Sequence, residues 1–373
     1  MRHASIRTLL VICAALVLPA TAAAPASAAR GDPALQAALD DVVAAGGTGA
    51  LAVVDDGRRT IQLTSGVARL EPRQALRPSA RFRVGSDTKT FVSVVALQLV
   101  GERRLRLTDT VEHWLPGLVP NGQNITLRML LNHTSGLFDY GADETFFAEF
   151  LADPTRPRTP RELIAIANSH PPSFEPGGGW SYSNTNYILA GLIVEKASGR
   201  ALERLVEQRV IRPLGLRSTA FPATTRIAGY HAHGYLPPSV TGAGYRDITA
   251  VDPSSVWAAG AMTSNATDLR TFYEALLRGR LLAPAQQREL LTPVVVAPTF
   301  SYGLGLFIEQ LSCGPVFGHN GGIPGYVSWT YTDRAGERSI VLMMPTQPDD
   351  ALFPVLTKAL DLAVCRMFGR PPL

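Results

Sequence analysis

The chain changes its hydrophobic rhythm several times, and each change marks a structural boundary. From Asp32 to Ala45, Leu35, Leu39, Val42 and Val43 recur on one face, which predicts a helix. Thr48 to Val54 and Thr60 to Val67 are strand-like runs joined through Asp55-Asp56-Gly57, a hairpin signal. Ser86 to Gly101 is apolar nearly all round, the pattern of a helix buried on every side. From Glu102 to about Trp257, helical stretches (160–169, 187–198 and 202–210) alternate with Pro/Gly-rich loops and strand alternation is scarce. A helix over 266–278 follows. Strands are then predicted at 301–311, 315–318, 327–332 and 338–344, the last two flanking the turn Asp333-Arg334-Ala335-Gly336, and a final helix covers about 348–367. Hairpin links predict an antiparallel sheet built from both ends of the chain. The expected class is α/β (α+β), with a sheet lobe from 32–101 and 258–367 and an inserted helical lobe at 102–257.

The first 28 residues do not fit this scheme. Arg2 and Arg7 precede the apolar run Leu9–Leu18 and the small-residue site Ala26-Ser27-Ala28, as in a secretory signal peptide. The run is too short for a permanent membrane span, and Cys13, preceded by the bulky Ile12, does not fit a lipid-attachment site. A secreted, extracellular monomer without a stable membrane anchor is expected. Loss of Arg2 and Arg7 lowers the formal charge from +4 to +2, and no Lys/Arg run follows, so nucleic-acid binding has no support. Cys313 and Cys365 remain, and an isolated pair in an exported protein predicts a disulfide. It would close a loop of about fifty residues and contribute roughly 4 kcal/mol.

Lysine is rare here: three residues against thirty-two arginines. One of the three, Lys89, follows Ser86 by three positions at the start of the buried helix. Arginine cannot lose its proton in a protein, whereas a desolvated lysine can become a neutral base. Positions i and i+3 are helix neighbours, and a helix N-terminus favours developing negative charge. Ser86 and Lys89 are therefore a candidate nucleophile and its proton partner, or else a plain cap serine and a solvated lysine. A turn-rich approach, Glu175 to Trp180, leads into Ser181-Tyr182-Ser183-Asn184 before a helix. Such a loop can hold Tyr182 and Asn184 at a cleft edge, where a lysine ammonium would make the phenol easier to ionise. Gly318-His319-Asn320-Gly321-Gly322 lets a ligand approach a strand edge, with His319 offering a donor or a positive charge.

These three elements, in this order, resemble the S-x-x-K, Y-x-N and K/H-x-G motifs of the penicillin-recognising serine hydrolases, the serine β-lactamase-like family. The likeness runs from about Asp32 to Cys365 and is nearest to secreted serine D-alanyl-D-alanine carboxypeptidases. Class C β-lactamases, D-aminopeptidases and esterases are relatives. Supporting stretches are Leu130 to Leu137, Ala259 to Ser264, and Tyr302 to Leu306. The resemblance implies a β-lactamase/transpeptidase-like fold, an antiparallel sheet flanked by helices. It makes Ser86 the acylated nucleophile, Lys89 its proton partner, Tyr182 the general acid/base and His319 the counterpart of a lysine. Asn184 would hold the substrate amide, and the N–H groups of Ser86 and Gly322 would form the oxyanion hole. The implied reaction needs no metal or organic cofactor and acts on peptide, ester or β-lactam substrates. The resemblance also matches Cys313 and Cys365 to a disulfide of the carboxypeptidase branch.

One departure bears on specificity. In that branch an arginine on the strand before the first cysteine binds the terminal carboxylate. Phe307 stands at that position, and no Lys or Arg occurs from Tyr302 to Gly318. Asn320 and Gly322 replace threonines usual there. Esters, amides and D-amino-acid peptides without a free carboxylate thus stand beside D-Ala-D-Ala peptides as expected substrates. A non-catalytic cell-wall binding protein is the remote alternative. Other candidates carry less: His231, His233 and Asp252 lack a third ligand at suitable spacing. His133 and Ser135 have no nucleophile elbow around them and are read as loop-stabilising. Trp257 is assigned to the cleft wall, with core packing as its alternative.

Overall fold

The computed structural model describes residues 32–371. The signal-peptide and Cys13 readings lie outside them. The Asp32 carboxylate accepts from the Leu35 N–H and caps helix α1 (Pro33–Ala44), which has proline in its first turn. Strands β1 (Gly49–Asp55), β2 (Thr60–Arg69) and β3 (Gln74–Ala75) follow. After the helical region come β4 (Val294–Ala297), β5 (Phe300–Tyr302), β6 (Phe307–Leu311), β7 (Gly314–Ile323), β8 (Tyr326–Thr332) and β9 (Ser339–Met344). All nine form one antiparallel sheet, ordered β3-β2-β1-β9-β8-β7-β6-β5-β4. The two ends of the chain meet where β1 pairs with β9, Leu51 opposite Met343.

The sheet departs from the sequence reading in four places. The segment 301–311 is not one strand but β5 and β6, because Gly305 adopts φ +90° in the turn between them. Strands β3 and β4, at the two edges, are additions. Strand β7 runs on to Ile323 instead of stopping at Gly318, so His319 to Gly322 lie within it. Glycines weaken a strand signal, yet pairing with β8 carries β7 through them, Gly321 opposite Ser328.

That extension creates the functional edge. Strand β6 pairs with β7 only as far as Gly318, while β8 continues to Ile323. Beyond Gly318, one side of β7 has no strand partner among the described residues, and the turn at Val84 and Gly85, just before helix α2 (Asp87–Gly101), packs closely on Gly321 and Gly322. Close approach there requires glycine. A Cβ on Gly321 would lie 2.0 Å from the Val84 carbonyl oxygen, and one on Gly85, which has φ +50°, would lie 2.7 Å from the Gly322 oxygen.

Hydrophobic packing holds α2 from all sides, as its all-round apolar pattern predicts. Phe91, Val92, Val94, Val95 and Leu97 are buried, and Phe91 stacks on Phe272 of helix α5 (Ala266–Leu277). The same apolar cluster takes in Leu130, Ile188 and Leu205 from the helical segment. A second cluster packs α1 and the last helix, α6 (Leu352–Met367), on the opposite sheet face. Cys365 of α6 is joined to Cys313 by a disulfide, as expected. Among the described residues, no helix is long and apolar enough to cross a membrane.

Candidate active site

Ser86 immediately precedes α2 and makes no capping bond with its side chain, so the hydroxyl is left to the cavity it lines. One turn on, Lys89 is fully buried. Its Nζ lies 3.0 Å from Ser86 Oγ, 2.7 Å from Asn184 Oδ1 and 2.7 Å from the Ala259 carbonyl oxygen. Burial pushes the Lys89 ammonium down to about 7, against a smaller upward pull from Asp139. A neutral amine has two N–H groups and one lone pair. Both N–H groups are claimed by carbonyl oxygens, and the lone pair is left for the Ser86 hydroxyl. The geometry therefore suits proton removal from Ser86.

Asn184 opens helix α4 (Asn184–Ser198), three residues before the helix start read from the sequence. Its backbone N–H donates to Asp139 Oδ1 (3.0 Å) and its Nδ2 to Asp139 Oδ2 (3.1 Å). The amide is thus fixed with its oxygen toward Lys89. Asp139 was not legible as a site residue, because it sits in a loop with no motif spacing to Asn184.

Tyr182 lines the cavity with its hydroxyl buried, and that hydroxyl lacks a hydrogen-bond partner of normal geometry. The sequence suggested a phenol made more acidic by lysine. The structure reverses this: burial raises the Tyr182 pKa well above its usual value, only partly offset by Ser86. Lys89 lies over the face of the ring, 4.8 Å from its centroid, and is itself pushed toward neutrality. The Tyr182 hydroxyl therefore keeps its proton near neutral pH. His133 and Ser135 act in the loop, as expected. His133 Nδ1 accepts from the Ser183 N–H (3.2 Å), and the Ser135 hydroxyl donates to Asn186 (2.6 Å).

His319 is also revised. It is fully buried, and burial lowers its pKa to about 3, with Lys89 adding to the drop. It is a neutral imidazole, with Nε2 3.0 Å from the Tyr302 hydroxyl. Phe307 packs against it at 4.4 Å between ring centroids. Phe307 lines the cavity and His319 does not. Trp257 is not on the wall either: its indole N–H donates to Glu203 (2.7 Å), and a Cβ on Gly191 would lie 2.9 Å from its ring. Its neighbour Val256 lines the cavity instead. Of the other candidates, His231 stacks on His233 (5.0 Å between ring centroids), His233 pairs with Asp247 (2.7 Å), and Asp252 instead caps the turn at 253–255.

The cavity has a volume of about 770 Å³ and is mostly apolar. Ser86, Asn320, Gly321 and Gly322 line its middle. To one side it meets Tyr140 and the aromatic face of helix α3 (Glu144–Ala152), with Phe146, Phe147 and Phe150. To the other it follows Phe307, Glu309 and Leu311 of β6 toward Trp329 and α6. Among the described residues no Lys, Arg or His lines it, and its charged groups are Glu309 and Asp361. The α3 aromatics recur at helical spacing, a signal hidden by the lack of any flanking motif.

Comparison with known proteins follows the same lines. The family model described as Beta-lactamase matches residues 35–364. Penicillin-binding protein 4* of Bacillus subtilis is 27% identical over 324 residues, covering 82% of this chain and 69% of that protein. The crystal structure of a D-stereospecific amidohydrolase from Streptomyces sp. superposes with a TM-score of 0.81 at 40% identity, covering 90% of this chain and 98% of that one. D-amino acid amidase from Ochrobactrum anthropi SV3, complexed with L-phenylalanine, gives 0.78 at 26% identity, with 90% and 99% covered.

Proposed function

The chain belongs to the Beta-lactamase family and is a serine hydrolase of that group, and we propose that it cleaves amides and esters of D-amino acids through an acyl-enzyme on Ser86. Neutral Lys89 takes the Ser86 proton as Oγ attacks the carbonyl carbon. The oxyanion forms beside the N–H groups of Ser86 and Gly322, whose residues share one wall of the cavity. Tyr182 protonates the departing amine or alcohol and is reprotonated from Lys89. Water then cleaves the ester, with the same pair moving protons in reverse.

The observation that carries the substrate class is the charge of the cavity. Among the described residues no cationic side chain lines it, and Phe307 occupies the wall position at which the carboxypeptidase resemblance implies a carboxylate-binding arginine. A charge-assisted carboxylate bond is among the stronger polar contacts, so a substrate with a free terminal carboxylate gains nothing here. This weighs against the D-alanyl-D-alanine carboxypeptidase reading and favours uncharged leaving groups. The Tyr140, Phe146 and Phe150 side fits an aromatic or branched acyl group. Likeness to a D-stereospecific amidohydrolase and a D-amino acid amidase supports the D configuration.

The test is mass spectrometry after incubation with D-phenylalanine methyl ester, together with turnover of D-phenylalaninamide and of a peptide ending in D-Ala-D-Ala. A D-phenylalanyl adduct on the peptide containing Ser86 and preferred turnover of the amide are expected. No adduct on Ser86, or a strong preference for the free acid, would overturn the reading.

A further inference from the structure

The proposed chemistry uses Ser86, Lys89 and Tyr182 but gives no role to the far arm of the cavity along β6 and α6. Its direction follows from the proton donor. The group that leaves must face Tyr182, and the Tyr182 ring packs near His319 (6.3 Å) and Tyr302 (6.4 Å), both of which touch Phe307. The leaving group therefore points along Phe307, and the acyl group takes the opposite side, toward Asn184 and α3.

Past Phe307, the next residue on the same face of β6 is Glu309, about 7 Å further on. Its carboxylate is half-buried and accepts from the Tyr331 hydroxyl at 2.9 Å. Among the described residues it has no basic side chain at ion-pair distance, and nothing nearby offsets the burial that pushes its carboxyl up except Tyr331. Asp361 of α6 lines the same arm and accepts from the Ser312 hydroxyl. The rest of this arm is apolar, with Leu311, Trp329, Phe353 and Leu360. A half-buried carboxylate without a counter-charge, at the end of an apolar passage open to the nucleophile, is an arrangement a cation completes.

Resting on the reading of Ser86 as the acylated residue, we propose that this arm is a leaving-group subsite for a primary ammonium or guanidinium carried on an apolar chain, with Glu309 as its counter-charge. The required reach is set by the strand. Gly322 to Gly318, the partner of Tyr331, covers roughly 13 Å. A chain of about five to eight methylenes between the scissile nitrogen and the cation fits this length, as does the side chain of a lysine or arginine placed after the cleaved bond.

The experiment compares D-phenylalanyl amides of α,ω-diamines with five to eight carbons against the amides of alkylamines of equal length. At the best length, wild type is expected to favour the ammonium compound by about tenfold or more in kcat/KM, the size of one charge-assisted bond. In Glu309→Gln that ratio falls toward one. Equal rates for the two series in wild type, or a preference kept in E309Q, would overturn the proposal. A direct binding arm separates this outcome from failure of the proposed function. Ser86→Ala is titrated calorimetrically with N-butyryl-1,6-diaminohexane and with N-butyrylhexylamine. Tighter binding of the first by about tenfold or more supports the subsite even where D-phenylalanyl amides are not turned over, and equal binding counts against it whatever the acyl chemistry.

Discussion

Asn184 holds Lys89 and Asp139 on opposite ends of one amide. Its Oδ1 lies 2.7 Å from Lys89 Nζ, and its Nδ2 donates to Asp139 over 3.1 Å. This arrangement keeps a buried amine in place while leaving its lone pair for Ser86. Because burial lowers Lys89 to about 7, the base is active only above that value. kcat/KM for an uncharged ester should therefore rise about tenfold per pH unit below pH 6 and level off above about pH 8. Asp139 opposes the lowering, so Asp139→Asn should move the midpoint to lower pH. A pH–rate profile of both proteins checks the direction, and an unmoved midpoint would remove Asp139 from the account.

Substitution at Lys89 separates charge from proton transfer. Lys89→Arg keeps a cation that cannot act as a base at neutral pH, and should cost a factor of roughly a thousand or more in acylation. Tyr182→Phe keeps the ring against His133 and His319 and loses only the proton donor. It should cost about a hundredfold or more with amides. The loss should be smaller with activated esters, whose leaving groups need no proton. Stopped-flow acylation with matched amide and ester substrates reads both, and equal losses for the two would argue against Tyr182 as the acid.

Much of this site could be read from the chain because its members carry local signals. Ser86 and Lys89 show one-turn spacing in a lysine-poor sequence. Tyr182 and His319 lie beside glycines that the backbone needs: a Cβ on Gly321 would lie 2.0 Å from the Val84 oxygen. What escaped was set by contacts distant in sequence. Asp139 meets Asn184 across a loop, Glu309 and Asp361 are brought together by the packing of α6 on the sheet, and Trp257 turned away to Glu203. Protonation states escaped as well, since His319 and Tyr182 take theirs from burial, which depends on the whole fold.

Phe307 gives a gain-of-function test. It lines the cavity against His319, where a guanidinium would meet a substrate carboxylate. Phe307→Arg should raise the ratio of D-Ala-D-Ala cleavage to amide cleavage by about tenfold or more. Because Phe307 is buried among Phe300, Tyr302 and His319, the variant should also melt lower than wild type. Chromatographic assay of released D-alanine decides, and a fall in both activities with no change in their ratio would show that this wall does not select the leaving group.

Asp87 offers a stability test next to the nucleophile. It is fully buried, and its carboxylate accepts from the Tyr273 hydroxyl (2.8 Å) and the Ser328 hydroxyl (3.3 Å). Burial outweighs these two donors and pushes its carboxyl up to about 8. The folded state therefore holds a proton that the unfolded chain releases near pH 4. The stability this contributes is complete below about pH 4 and is lost as the pH rises through 8. Asp87→Asn removes the titration while keeping the shape of the group. Its melting temperature should fall less than that of wild type between pH 5 and pH 9, with the difference growing up to about pH 8 and levelling off above it, where folded and unfolded wild type both carry the charge. Ser328 lies on β8 opposite Gly321, so the same contact ties the Ser86 turn to the partner of the strand bearing Gly322. Ionisation of Asp87 should thus loosen both sides of the oxyanion site, and wild type should lose kcat above pH 8 on an ester whose turnover in D87N stays flat. Parallel kcat profiles in the two proteins would confine Asp87 to stability.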